Sequence, residues 1–193
     1  LLPYRDNGPA LSPMSAILAL NDLRSLRSRV AQMSHSSQKI AEFLESHPKI
    51  KSVNYPGLAS HPQADLANKY LTLVDSEYDT GQAENCYGYM MSFEVCELDA
   101  YEPENTRTFY DKLNMIWRAT DLGRVKTVAT IPAISTHQQQ GDEGRDKPNH
   151  VRLSIGIEHA DDIIDDLDQA LVAIVSNREA SRIEGEKEAA VAT

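Results

Sequence analysis

Val151-Arg152-Leu153-Ser154-Ile155-Gly156-Ile157-Glu158 is a stretch in which apolar and polar residues alternate strictly. A period of two is typical of a β-strand with one buried face. Arg152 then lies on the opposite face, near the start of the strand. A guanidinium is a planar fork of donors that suits a carboxylate or a phosphate. The alternative is a surface arginine in a loose ion pair, which is common and contributes little energy.

The composition limits the classes of partner. The chain has 193 residues and a net charge of −10, and its pI is about 5.0. This acidity argues against nucleic acid or an anionic membrane as the main partner. No apolar run approaches the length that spans a bilayer, and no secretory signal opens the sequence. Two cysteines suggest a reducing compartment without a disulfide framework, so we expect a cytoplasmic protein.

Helical patterns occupy both ends of the chain. Ser12-Pro13 predicts a helix start, with serine as N-cap and proline at the first helical position. Apolar residues then recur at helical spacing until His47-Pro48, so we expect either one long helix or a break within residues 21–25. A closing helix should begin at Asp161 and Asp162, since acidic residues favour the positive end of a helix dipole.

Strand patterns fill the middle of the chain. Besides the opening octet, residues 50–55, 87–95, 115–120 and 127–131 favour strands. These strands alternate with helices except for the pair at 115–131. We therefore predict an α+β fold in which a small mixed, largely antiparallel sheet carries helices on one face.

Several short motifs share a family resemblance. The sequence is similar to the pyridoxal-phosphate-dependent enzymes of cysteine and methionine metabolism, which include cystathionine γ-synthase, cystathionine γ-lyase, methionine γ-lyase and O-acetylhomoserine sulfhydrylase. The resemblance covers residues 8 to about 175. It rests on the opening octet, the junction Gly8–Pro13, the turn Val53–Leu58 followed by Ser60-His61-Pro62, the group Gly88, Ser92 and Phe93, the turn 121–127, and the pair Thr136-His137.

The resemblance implies a domain organisation. Residues 1–12 would be an interdomain segment, 13–176 a C-terminal substrate-binding domain of a fold-type I enzyme, and 177–193 a flexible tail. The lysine that forms an imine with pyridoxal phosphate belongs to the family's large domain, and no lysine here sits in the matching motif. We therefore expect a piece of a longer protein, with no catalytic residue of its own and no activity alone.

The resemblance also implies a substrate site. Arg152 would hold the α-carboxylate of an amino acid, and Asp121, Leu122, Lys126 and Thr127 would shape the pocket. Thr136 and His137 are further candidates. Asp121 would repel a carboxylate unless Arg152, Arg118 or Lys126 neutralises it. Lys126 stands where many cystathionine-handling relatives have glutamate, which favours a small neutral or sulfur-bearing substrate side chain.

Metal chemistry is not expected. The six histidines show no ligand spacing. The acidic residues 75–86 place Thr80 and Cys86 where a calcium loop needs glycine and glutamate.

The expected function is that of the parent enzyme. It would use pyridoxal phosphate at Cγ of a homoserine-derived amino acid, in sulfhydrylation, transsulfuration or γ-elimination, as a homotetramer. The alternative is a non-catalytic, stand-alone module that binds amino acids or regulates another protein.

Overall fold

A computed structural model of the chain describes residues 10–73, 83–96, 104–137 and 147–174. The interdomain segment up to residue 9, most of the acidic loop at 75–86, and the expected tail at 177–193 lie outside these ranges. So do Pro103, which the sequence suggests as a helix start, and most of the polar stretch between Pro132 and Asn149. The expected domain boundaries stay a prediction.

Five α-helices are present in the described ranges: α1 (Pro13–Arg24), α2 (Leu26–Ser46), α3 (Ala64–Tyr70), α4 (Glu104–Lys112) and α5 (Ala160–Val172). Ser12 caps α1 as predicted, since its side chain accepts a hydrogen bond from the Ser15 backbone. The predicted break is confirmed and falls at Ser25, between α1 and α2. Helix α1 buries none of its residues, whereas α2 buries Met33, Ile40 and Leu44.

Five strands form one sheet in the order β1-β2-β5-β4-β3. They are β1 (Ile50–Asn54), β2 (Met90–Val95), β3 (Trp117–Arg118), β4 (Val128–Thr130) and β5 (His150–Ser154). The β1–β2, β2–β5 and β4–β5 pairs are antiparallel, and β3–β4 is parallel. The prediction of a mixed, largely antiparallel sheet is confirmed.

All five strands are shorter in the structure than the sequence predicts, β1 and β4 by one or two residues and the other three by more. β2 begins at Met90 rather than residue 87, β3 covers only two residues of 115–120, and β5 ends at Ser154. Ile157, predicted on the apolar face, is 43% exposed. The reason is local, because the Ile157 backbone N–H donates to the carbonyl of Val125 instead of a strand partner.

The core lies between the sheet and the helices. Alternate residues of the central strands, including Phe93, Val151 and Leu153, are buried in one cluster with side chains of α2, α4 and α5. The residues between them point to the other face of the sheet because successive strand side chains alternate. This arrangement confirms that the helices cover one face, and it leaves Arg152 on the opposite one. No described helix is long and apolar enough to cross a membrane.

Candidate functional site

A cavity of about 410 Å³ opens on the face of the sheet away from the helices. Its described walls come from three strands, from the turn after β1 and from the 3-10 turn Pro132–Ile134 that follows β4. Polar and aliphatic groups both contribute to it. The lining residues are Asn54, Pro56, Met90, Met91, Ser92, Pro132, His137, His150 and Arg152.

Strand register places Arg152 in a row of polar side chains. Ser92 lies opposite Arg152 on β2, and Thr130 lies opposite it on β4. Asn54 extends the row through its pairing with Ser92. Arg152 therefore sits in the middle of the sheet, where its neighbours are short and leave room for a ligand.

The guanidinium of Arg152 is only partly satisfied by the protein. Its Nη2 donates to the carbonyl oxygen of Thr120 at 3.2 Å. Its Nε–H is buried and has no hydrogen-bond partner among the described residues. A buried donor without a partner is costly, which favours an anionic ligand that accepts from it.

The two candidates that follow the 3-10 turn separate in the structure. His137 lines the cavity with Arg152, and its backbone N–H donates to the carbonyl of Pro132 at 2.9 Å. Thr136 is exposed and is not among the lining residues. The sequence placed both residues near the site, and the geometry brings only the histidine into it.

Asp121 is neutralised by a residue other than those expected. Its carboxylate lies 2.5 Å from Nη2 of Arg124. Arg118 instead pairs with Asp111 at 3.2 Å, and Lys126 pairs with Glu158 at 3.3 Å. The cation that pairs with Asp121 is therefore Arg124, and not one of the three basic residues that the sequence analysis considered for this role. The three-residue separation of Asp121 and Arg124 lets a tight turn bring the two side chains together.

Thr127 and Lys126 lie against Glu158 rather than on the cavity. Thr127 is fully buried, and both its backbone N–H (2.8 Å) and its hydroxyl (2.8 Å) donate to the Glu158 carboxylate. Partial burial acts to raise the pKa of Glu158, but the hydrogen bonds from Thr127 and Lys126 outweigh it and lower that pKa below its usual value. Leu122 is 51% exposed and does not line the cavity.

The predicted residues thus form two groups. Arg152 and His137 share the cavity, while Asp121, Leu122, Lys126 and Thr127 lie in the adjoining loop, which touches Arg152 through Thr120. Sequence reasoning missed Asn54, His150 and Glu158 as contributors. Ser92 was named for the family resemblance and not as a contributor to the site. Its alternation with buried neighbours along the strand is the signal that places it on the open face of the sheet.

The lysines of the described ranges lie away from the cavity wall. Lys39 pairs with Asp161, Lys49 donates to carbonyl oxygens at the end of α5, and Lys126 is held by Glu158. The same ranges contain no group of histidine, cysteine and acidic side chains that could hold a metal ion.

The described residues thus form an α+β domain with an arginine at the centre of an open sheet face. Comparison with known proteins identifies the family to which such a domain belongs here. The family model described as "Cys/Met metabolism PLP-dependent enzyme" matches residues 2–172, and the chain belongs to this family. The family resemblance inferred from the motifs is confirmed.

Individual relatives are enzymes of sulfur amino-acid metabolism. The chain is 37% identical over 175 residues to an O-succinylhomoserine sulfhydrylase of Mycobacterium tuberculosis, covering 86% of this chain and 39% of the relative. It is 34% identical over 170 residues to the cystathionine γ-lyase of Sus scrofa, covering 86% and 38%.

A solved structure agrees with the sequence relatives. It is a Campylobacter jejuni protein described as an O-acetylhomoserine (thiol)-lyase, with N'-pyridoxyl-lysine-5'-monophosphate at its position 205. It matches with a TM-score of 0.72 and 37% identity, over 86% of this chain and 37% of its own. The chain thus spans less than two fifths of the relatives it matches.

Proposed function

We propose that this chain is the substrate-binding part of a pyridoxal-phosphate-dependent enzyme that acts at Cγ of a homoserine-derived amino acid. The reaction would be sulfhydrylation, transsulfuration or γ-elimination. The proposal extends to a cytoplasmic, homotetrameric parent enzyme, for which the support is the family resemblance. The catalytic lysine and the cofactor's binding residues would come from outside the described ranges.

The observation that carries the proposal is the buried Nε–H of Arg152, which has no protein partner in the described structure and belongs to a guanidinium on the cavity wall. A carboxylate can accept from Nε and Nη at once, which fixes both its position and its orientation. Pyridoxal phosphate, when bound, supplies the electron sink for the bond changes at the amino acid. Arg152 would hold the α-carboxylate still while those changes occur.

Charge near the site favours a substrate without a distal charge. Asp121 and Arg124 neutralise each other, and so do Lys126 and Glu158. The loop therefore offers no unpaired carboxylate for the distal ammonium of cystathionine. This supports an acylated homoserine or a small sulfur-bearing amino acid as substrate.

Steady-state kinetics of the full-length enzyme that contains this chain test the proposal. Replacing Arg152 by lysine keeps the charge but removes the planar fork. We expect KM for O-acetyl-L-homoserine, which carries no distal charge, to rise about 10- to 100-fold, the equivalent of about 1.5–3 kcal/mol for a lost charged hydrogen bond. Arg107→Lys, on an exposed position of α4, is the matched control. Unchanged KM and kcat in the Arg152 variant would refute the assignment.

The second candidate function is a stand-alone module that binds amino acids. It would use the same cavity, with Arg152 as the residue that binds the carboxylate. Calorimetry of the 193-residue chain with L-homoserine, without cofactor, separates the two. Tight, saturable binding would favour the module, and binding too weak to saturate would favour the enzyme domain.

A further inference from the structure

The loop between β3 and β4 is irregular but is fixed at several points. Gly123 has a φ of +72°, a left-handed conformation that favours glycine. Its N–H donates to the hydroxyl of Ser154 at 3.0 Å, at the end of β5. Two residues on, the Val125 carbonyl accepts from Ile157 at 2.9 Å. The loop is thereby attached to the segment that directly follows the Arg152 strand.

Glu158 makes the densest set of these attachments. Its carboxylate accepts from the backbone N–H and the hydroxyl of Thr127 and pairs with Lys126. The Thr127 hydroxyl in turn accepts from the Gly156 N–H at 2.9 Å. A Cβ at Gly156 would overlap the Val125 carbonyl oxygen and the Glu158 carboxylate. We call Lys126, Thr127, Gly156 and Glu158 the Glu158 cluster.

The direction of the hydrogen bonds explains why an acidic residue is favoured at this position. Because the Thr127 hydroxyl accepts from Gly156, its own hydrogen must go to another acceptor. The Thr127 N–H needs an acceptor as well. A carboxylate offers two accepting oxygens, whereas the amide of glutamine offers one oxygen and two competing donors.

The loop that the cluster holds also touches Arg152. Thr120, at the start of this loop, provides the carbonyl oxygen that accepts from Nη2 of Arg152. Glu158 lies six positions along the chain from Arg152 and does not line the cavity. The hydrogen bonds of Glu158 thus connect it to the guanidinium through the loop.

We propose that Glu158 is a positioning residue for the Arg152 carboxylate site, which it orders by fixing the loop from Thr120 to Thr127. The catalytic role of this positioning rests on the function proposed above. Its structural content, the coupling of Glu158 to the Arg152 guanidinium, can be tested without the cofactor or the rest of the enzyme.

Nuclear magnetic resonance of the 193-residue chain provides the test. In Glu158→Gln, amide exchange at Thr127 should accelerate about tenfold or more, as for a lost hydrogen bond to a charged group. The Arg152 Nε–H resonance should shift in the same variant. Asp162→Asn, which removes an exposed carboxylate in the first turn of α5, is the control and should change neither signal.

Two outcomes overturn the proposal. One is fast Thr127 exchange with an unmoved Arg152 resonance, which would make the cluster a purely structural feature. The other is unchanged exchange at Thr127. Should Glu158→Gln unfold the chain, Thr127→Val replaces the hydroxyl by a methyl group and keeps the backbone N–H, so in that variant the Arg152 resonance alone decides, and an unmoved resonance overturns the proposal. A shift of Arg152 in these variants, together with unchanged KM in the Arg152→Lys enzyme, would uphold the coupling and reject only the proposed function.

Discussion

Arg152 donates from Nη2 to the carbonyl oxygen of Thr120, so the loop between β3 and β4 holds the arginine of the central strand. One guanidinium edge is therefore fixed by the protein, while the buried Nε–H has no protein partner within the described ranges. A ligand that accepts from Nε binds a guanidinium that is already oriented, and this lowers the entropic cost of binding.

This geometry predicts a measurable response to a small carboxylate. Acetate added to the 193-residue chain should shift the Arg152 Nε–H resonance in a saturable way, because a carboxylate oxygen would replace the missing partner. The Nε–H of exposed Arg107 is the internal reference. Equal, unsaturable shifts of both arginines would indicate screening alone and would contradict a built anion site.

A second prediction concerns Asp166 in α5. Its buried carboxylate accepts from the backbone N–H groups of Asn114, Met115 and Ile116, each at 2.9 Å. Asp166→Asn leaves one accepting oxygen, so about 1.5–3 kcal/mol of unfolding free energy should be lost. Urea denaturation of this variant and of the exposed neighbour Asp165→Asn tests this. The control should remain within about 0.5 kcal/mol of the parent, and equal losses in both variants would contradict the role given to Asp166.

Periodicity was sufficient to predict the fold class. The alternation around Arg152 and Phe93 gave two central strands and their buried faces. The Ser12-Pro13 pair gave the start of α1. These features depend on local sequence, so they could be read without knowing which elements are neighbours in space.

Other features depended on contacts between distant segments. The polar row of Asn54, Ser92, Arg152 and Thr130 exists only because of the strand register. The local sequence does not distinguish Asp166 from the other acidic residues of α5, yet it binds a turn about fifty positions away. β5 is shorter than predicted because the segment after Ser154 binds the loop that Glu158 attaches. The family resemblance identified this loop but did not predict its hydrogen bonds.

A third prediction concerns the end of α5. The Lys49 ammonium donates to the carbonyl oxygens of Leu171 (2.8 Å), Val172 (3.3 Å) and Ile174 (2.9 Å). A cation at a helix C-terminus stabilises the helix through the carbonyl oxygens at that end and through the helix dipole. Lys49→Met should cost about 1 kcal/mol. Lys51→Met is the control because Glu94 retains its second partner, Lys147, and a larger loss in the control would contradict this account.

The last prediction is a pH dependence that arises from Glu158. Hydrogen bonds from Thr127 and Lys126 overcome the effect of burial and hold its pKa below the usual 4.5. A lowered pKa in the folded state means that the stabilisation is present above the unfolded pKa and is lost as pH falls through the folded one. The destabilisation caused by Glu158→Gln should therefore be largest near about pH 7 and shrink toward about pH 3.

Unfolding free energies of the parent chain and of Glu158→Gln, measured across that range, check this prediction. Asp162→Asn serves as the control for the loss of an exposed carboxylate, which here lies in the first turn of α5. A difference for Glu158→Gln that stays constant down to about pH 3 would mean that the ionised carboxylate does not hold Thr127. In that case the loop would owe its position to Gly123, Val125 and their partners on the β5 side, which do not titrate.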